Sequence, residues 1–134
     1  MKTTKTPSQR YQQAVAQGDI DKDPVQWQIM HRLDKLYHQL ELQHQNGSSW
    51  WRRLLSKPHT QIKGLYLWGG VGIGKTYMVD LFYESLTTTR KMRIHFHRFM
   101  QQVHADLQQL QGHRDPLKYV ARHFSLKASV ICLD

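Results

Sequence analysis

The sequence predicts an α/β fold in which short apolar strands alternate with amphipathic helices. Three observations carry that reading. Gly69-Gly70-Val71-Gly72-Ile73-Gly74-Lys75-Thr76 is a glycine-rich loop with an apolar run before it and a helical pattern after it. Met92-Arg93-Ile94-His95-Phe96-His97 alternates apolar and polar residues, the period of a strand, and a helical pattern follows. Ala128-Ser129-Val130-Ile131-Cys132-Leu133-Asp134 passes from small residues into four apolar ones and ends on a carboxylate.

The loop carries the chemistry. It reads G-x-x-x-x-G-K-[ST], the phosphate-binding pattern of P-loop nucleotidases. Gly69, Gly72 and Gly74 lack a Cβ, so the backbone can take φ > 0 and approach a phosphate closely. Successive N–H groups then line one concavity that holds an anion. Lys75 supplies a point charge for the β- and γ-phosphates, and Thr76 a hydroxyl for Mg²⁺. The helix that begins here adds its N-terminal dipole. The context is the required one. Gly64-Leu65-Tyr66-Leu67-Trp68 suits a buried strand, and Met78, Leu81, Phe82 and Leu86 form one helical face. The nucleotide-binding residues are therefore Gly69, Gly70, Val71, Gly72, Ile73, Gly74, Lys75, Thr76 and Tyr77.

The other elements follow in chain order. Pro7 to Gln17 is a short helix with Tyr11, Ala14 and Val15 on one side and Gly18 as its stop. Asp23-Pro24 opens a long helix, with Asp at the cap and Pro in the first turn. Val25, Ile29, Leu33, Leu36 and Leu40 make its apolar stripe, which Trp27, Met30 and Tyr37 widen, and Gln45-Asn46-Gly47 ends it. Ser48 to Leu55 reads as a further short helix, broken at Lys57-Pro58-His59. Its Trp50-Trp51 and Arg52-Arg53 pairs can stack on a partner or pack on the domain, and packing is favoured. Arg98 to Gln111 is helical, with Phe99, Val103, Leu107 and Leu110 on one stripe and Gly112 after it. Asp115-Pro116 repeats the start signal for a helix to about Phe124. The domains expected are a helical segment over 1–60 and the first part of a nucleotide-binding domain over 61–134.

Composition bounds the rest. A chain of 134 residues is one ordinary domain at most. No apolar run approaches the ~20 residues of a membrane span, and Met1 to Pro7 has no secretory h-region. Cys132 is the single cysteine, so no internal disulfide forms, which fits a reducing compartment and a cytoplasmic location. Lys plus Arg number 19 against 10 Asp plus Glu, a net charge of +9, which permits contact with nucleic acid or anionic lipid. The positive residues are scattered, so a nucleic-acid partner is not the reading taken. The 9 histidines invite a metal centre. His95, His97 and His104 lack the further ligands that zinc needs, and a structural role is preferred.

Val130-Ile131-Cys132-Leu133-Asp134 looks like a Walker B strand, whose Asp134 would hold metal-bound waters. With Lys75 it makes the catalytic pair, and with Thr76 the metal ligands.

Taken together, these stretches resemble the ZapE-type cell-division ATPases, the AFG-one-like branch of the AAA+ P-loop ATPases. Gly64 to Thr76 with Asp80-Leu81-Phe82-Tyr83 matches the family's loop unit. His95-Phe96-His97-Arg98-Phe99-Met100 with Val103-His104 matches its H-F-H-x-F-M-x-x-V-H signature, which is more distinctive. Tyr11, Gly18, Asp23 and Gln26 match its N-terminal Y…G…D-x-x-Q pattern. Ile73 departs from the usual Arg, which leaves phosphate binding in place and questions any role of that Arg in turnover.

The resemblance implies a three-layer α/β/α AAA+ fold, ATP and Mg²⁺ as ligands, and ATP hydrolysis coupled to remodelling a protein partner at the bacterial division ring. Peripheral membrane association and a homo-oligomer in the full-length protein are compatible with it. Gln26 becomes an adenine-side contact by analogy. The resemblance also implies an N-terminal fragment, truncated at Walker B before the catalytic Glu expected after Asp134, the sensor residue and the arginine finger. Strand 64–68 would then lack both of its AAA+ neighbours. Each backbone group buried unpaired costs ~1–3 kcal/mol, so a fragment alone is expected to be marginal or aggregation-prone. Three other readings compete: a nucleotide-binding module without hydrolysis, a small P-loop phosphotransferase, and a DNA-linked AAA+ loader.

Overall fold

A computed structural model of the chain describes residues 4–46 and 61–134. The Trp50-Trp51-Arg52-Arg53 surface and the short helix over 48–55 lie outside the described residues.

Among the described residues, five helices and two strands are formed. In chain order they are α1 (Pro7–Gln17), α2 (Pro24–Asn46), α3 (Lys75–Ser85), β1 (Lys91–Ile94), α4 (Phe96–Gln109), α5 (Pro116–Lys127) and β2 (Val130–Leu133). Packing divides the chain into two compact units, Met1–Thr88 and Thr89–Asp134. The glycine-rich loop and α3 thus pack with the N-terminal helices, so the packing units cut across the division at residue 60 that the sequence suggests.

In the first unit α1, α2 and α3 pack pairwise on one another. α1 starts on a capping box: Gln9 N–H donates to the Thr6 hydroxyl, and Thr6 N–H donates to the Gln9 side chain. It stops at Gly18, which takes φ +78, a left-handed conformation that glycine adopts without steric cost. α2 starts as the Asp-Pro signal predicts, with Asp23 Oδ1 accepting from Val25 N–H at 2.7 Å and Gln26 N–H at 3.1 Å.

The buried face of α2 is rotated from the expected stripe. Met30, Leu33 and Tyr37 are buried, Ile29, Leu36 and Leu40 are half-buried, and Val25 is 63% exposed. The residues expected only to widen the stripe form its centre, because α1 and α3 both pack there. Tyr11, Ala14, Met78, Leu81, Phe82 and Leu86 complete this core.

Two acidic residues of α2 tie its neighbours down. Asp34 accepts from Ser8 N–H at 2.9 Å and from the Ser8 hydroxyl. Glu41, two turns on, accepts from Thr87 N–H at 2.9 Å and from the Thr87 hydroxyl. Spacing of seven puts both on one side of α2.

In the second unit β1 and β2 pair in parallel, Lys91 opposite Val130 through Ile94 opposite Leu133. Phe99 on α4 meets Phe124 on α5 with ring centroids 4.9 Å apart, and Val120, Phe124, Ala128 and Cys132 are buried. Arg90 Nη2 donates to the Ser125 carbonyl at 2.7 Å, which satisfies an acceptor in the last turn of α5.

Two strand expectations are corrected. Residues 64–68 do not form a strand among the described residues. A strand needs a ladder partner, none is assigned here, and Tyr66 and Trp68 are 84% and 81% exposed. The second strand is shorter than its alternating pattern. It ends at Ile94, His95 is the N-cap of α4, and Phe96 and His97 lie in the helix. His95 and His97 therefore do not share a strand face; their rings stack with centroids 6.1 Å apart. Residues that alternate in sequence can also start an amphipathic helix, and here Phe96 and His97 form the first turn of α4.

Candidate functional site

The site is built on the loop that feeds α3. Gly69, Gly72 and Gly74 take φ +153, +91 and +81, the conformations their lack of a Cβ permits. Gly70 is the loop glycine with no positive φ. At Gly74 space is short as well as torsion, since a Cβ there would sit 2.6 Å from the Gln26 side-chain nitrogen. At Gly69 a Cβ would lie 2.5 Å from Ile73 Cδ1, so the Ile73 side chain folds back over the start of the loop.

Gly74 is also the N-cap of α3, and no side chain caps that end. The first-turn N–H groups of a helix have no intrahelical acceptors, and together with the dipole they favour an anion. Lys75, the first residue of α3, donates its ammonium to the Gly69 carbonyl. The ammonium thus spans the loop from its last turn to its first glycine. Thr76 is exposed, and Val71 projects fully into solvent. The donor set of glycine amides, one lysine and one hydroxyl fits a phosphate chain with its metal.

Tyr77, in the first turn of α3, is half-buried. Its phenol pKa is raised above the ordinary value of about 10, first by burial and then by the negative fields of Asp19, Glu84 and Tyr11. A neutral hydroxyl therefore persists beside the loop throughout the physiological range.

Gln26 is brought to the loop. Its Nε2 donates to the Ile73 carbonyl at 3.0 Å, and its Oε1 accepts from the Tyr11 hydroxyl at 3.1 Å. The same Tyr11 oxygen accepts from Asp23 N–H at 3.0 Å. Both ends of the Gln26 amide thus have protein partners. The sequence placed Tyr11 on a helix face and in the N-terminal pattern with Asp23 and Gln26, and assigned its hydroxyl no role. Its hydroxyl is a buried link between α1, the start of α2 and the loop, and the signal was the joint occurrence of Tyr11, Asp23 and Gln26 in one pattern.

Asp134 lies immediately beyond β2 in the second unit. Its carboxylate pairs with Arg93 Nη2 at 3.2 Å, and its backbone carbonyl accepts from Phe96 N–H at 2.7 Å. The backbone bonds continue the β1–β2 pairing past the strands and fix where Asp134 sits at the strand end.

Among the described residues, no three His, Cys, Asp or Glu side chains converge on a point that could hold a metal ion. Among the same residues, no helix is long and apolar enough to cross a membrane.

Comparison with known proteins agrees with these features. The family model described as AFG1-like ATPase matches residues 5–134. The chain is 42% identical to the cell division protein ZapE of Escherichia coli, over 96% of this chain and 37% of that protein. It is 33% identical to an uncharacterised protein of Schizosaccharomyces pombe, over 96% of this chain and 36% of that one. It is 37% identical to lactation elevated protein 1 homolog B of Danio rerio, over 59% of this chain and 18% of that one. The chain thus spans little more than a third of the length of the first two relatives. No solved structure matches. With the glycine loop in place and a family match over nearly every residue, the chain belongs to the AFG1-like ATPase family.

Proposed function

We propose that the chain binds MgATP through the loop Gly69–Thr76, and that the full-length protein couples ATP hydrolysis to remodelling a protein partner in cell division. The observation that carries the first half is the loop's geometry: three glycines at positive φ, leading into an uncapped helix that begins at Lys75. The second half rests on the likeness to the cell division protein ZapE. The AAA+ layering, the cytoplasmic location and an oligomeric ring belong to the same proposal.

The residues divide the work as follows. Backbone N–H groups from Gly70 to Thr76 hold the β- and γ-phosphate oxygens, and the α3 dipole favours their charge. Lys75 exchanges the Gly69 carbonyl for a phosphate oxygen and stabilises the charge that develops as water attacks the γ-phosphorus in line. The Thr76 hydroxyl and the Asp134 carboxylate are the groups that would hold Mg²⁺ and its waters. Mg²⁺, when bound, neutralises phosphate charge. Tyr77 stays neutral beside the loop, so it adds no repulsion to a triphosphate.

Phosphate release by the full-length protein and its Lys75→Ala variant tests the proposal. A loss of about 10²-fold or more is expected when one charge-stabilising donor is removed. Turnover equal to that of the unaltered protein would overturn it.

A further inference from the structure

Gln26 is where the N-terminal helices touch the loop. Its Nε2 donates to the Ile73 carbonyl, and Gly74, the next residue, can carry no side chain without displacing that amide. A trans peptide points its C=O and its N–H in opposite directions. Holding the Ile73 carbonyl against Gln26 therefore turns the Gly74 N–H to the other side of the loop. A phosphate cradle needs that N–H on its inner side.

Gln26 is itself held. Its Oε1 accepts from Tyr11, whose ring is 1% exposed and whose oxygen also accepts from Asp23 N–H. The amide cannot rotate without giving up the Tyr11 bond, so the chain Asp23–Tyr11–Gln26–Ile73 fixes which end of the amide faces the loop. A glutamine on a helix surface would show none of these bonds. A base-reading glutamine would present its amide outward, not to the loop backbone.

We infer that Gln26, oriented by Tyr11, is a positioning residue that sets the Ile73–Gly74 peptide for phosphate binding. This rests on the nucleotide reading of the loop. Its consequence is that Gln26 acts on the phosphate chain whatever base is attached.

The test is binding of MgATP and of magnesium pyrophosphate to the full chain, to Gln26→Met and to Tyr11→Phe. Met keeps the length of the side chain and removes the donor. In Q26M both ligands weaken by about the same factor, roughly five- to twenty-fold for one lost hydrogen bond at a phosphate site. Y11F weakens both by a smaller common factor. In the ligand-free chain the Gly74 amide resonance shifts in Q26M while the thermal midpoint stays close to that of the unaltered chain. Weakening of MgATP with pyrophosphate unaffected would overturn the inference in favour of a base contact. Unchanged binding of both ligands in Q26M and Y11F would overturn it outright. If Q26M does not fold, Y11F decides by the same criteria. An unaltered chain that binds neither ligand refutes the nucleotide reading itself, and this inference falls with it.

Discussion

The Arg93 guanidinium on β1 lies 3.2 Å from the carboxylate of Asp134, which sits just beyond β2, two residues on from Cys132, the register partner of Arg93. The pair is partly open to water, with side chains 22% and 31% exposed. Such pairs contribute about 0–1 kcal/mol. The position of Asp134 is therefore set mainly by its backbone bonds to Ile94 and Phe96, and the carboxylate can exchange Arg93 for another partner at little cost.

That separation of position from charge gives a prediction for Asp134→Asn. The thermal midpoint of the full-length protein should fall by no more than a few degrees, since about 1 kcal/mol is the upper end for the pair. Magnesium-supported turnover should fall by about 10²-fold. Phosphate-release assays with a melting curve on the same sample check both.

The loop glycines should rank by torsion and space. Gly70→Ala has no positive φ and nothing within 4 Å, so stability should be unchanged. Gly72→Ala has φ +91 in open space and should cost about 1–2 kcal/mol from torsion alone. Gly74→Ala adds the 2.6 Å approach to Gln26 and should cost more than Gly72→Ala. Denaturant midpoints of the three variants give the order.

Asp34 and Ser8 form a closed pair between α2 and α1, with Ser8 buried. Asp34→Ala takes the side-chain acceptor from the Ser8 N–H and leaves the Ser8 hydroxyl only Thr6 Oγ1, 3.3 Å away, and should destabilise by about 1–3 kcal/mol. Replacing both residues by Ala should cost less than the sum of the single changes, which a double-mutant cycle measures.

Tyr77 gives a pH prediction whose sign is fixed. Its folded pKa lies above the unfolded value near 10, so at high pH the folded state holds a proton that the unfolded state has lost. The stability it contributes is intact below pH 10 and is lost as pH rises through the folded pKa. Tyr77→Phe should flatten the fall of stability above pH 10 and leave it unchanged near pH 7. Thermal midpoints of both proteins across that range decide it.

The sequence made the local signals legible and the pairing less so. Asp23-Pro24 and Gly18 act within a few residues, and α2 begins and α1 ends where those residues direct. The glycine loop was readable for the same reason. Strand existence depends on a partner far along the chain. Leu65 to Trp68 has the composition of a strand and no ladder, while Val130 to Leu133 has both. Periodicity could not reveal the role of Tyr11, because a hydroxyl reaching across two elements leaves no periodic trace; only its joint occurrence with Asp23 and Gln26 points to it. The rotation of α2 toward Met30 and Tyr37 reflects the helices packed on it, which periodicity alone does not locate.

The central claim is that Gly69–Thr76 holds a nucleotide by its phosphates. Calorimetric titration of the full chain with MgATP, magnesium pyrophosphate and adenosine tests it most directly. The account predicts saturable binding of MgATP and pyrophosphate, both weakened at least tenfold, about 1.4 kcal/mol, by Lys75→Ala, and no measurable binding of adenosine. Equal binding of MgATP by the unaltered chain and the Lys75→Ala variant would contradict it.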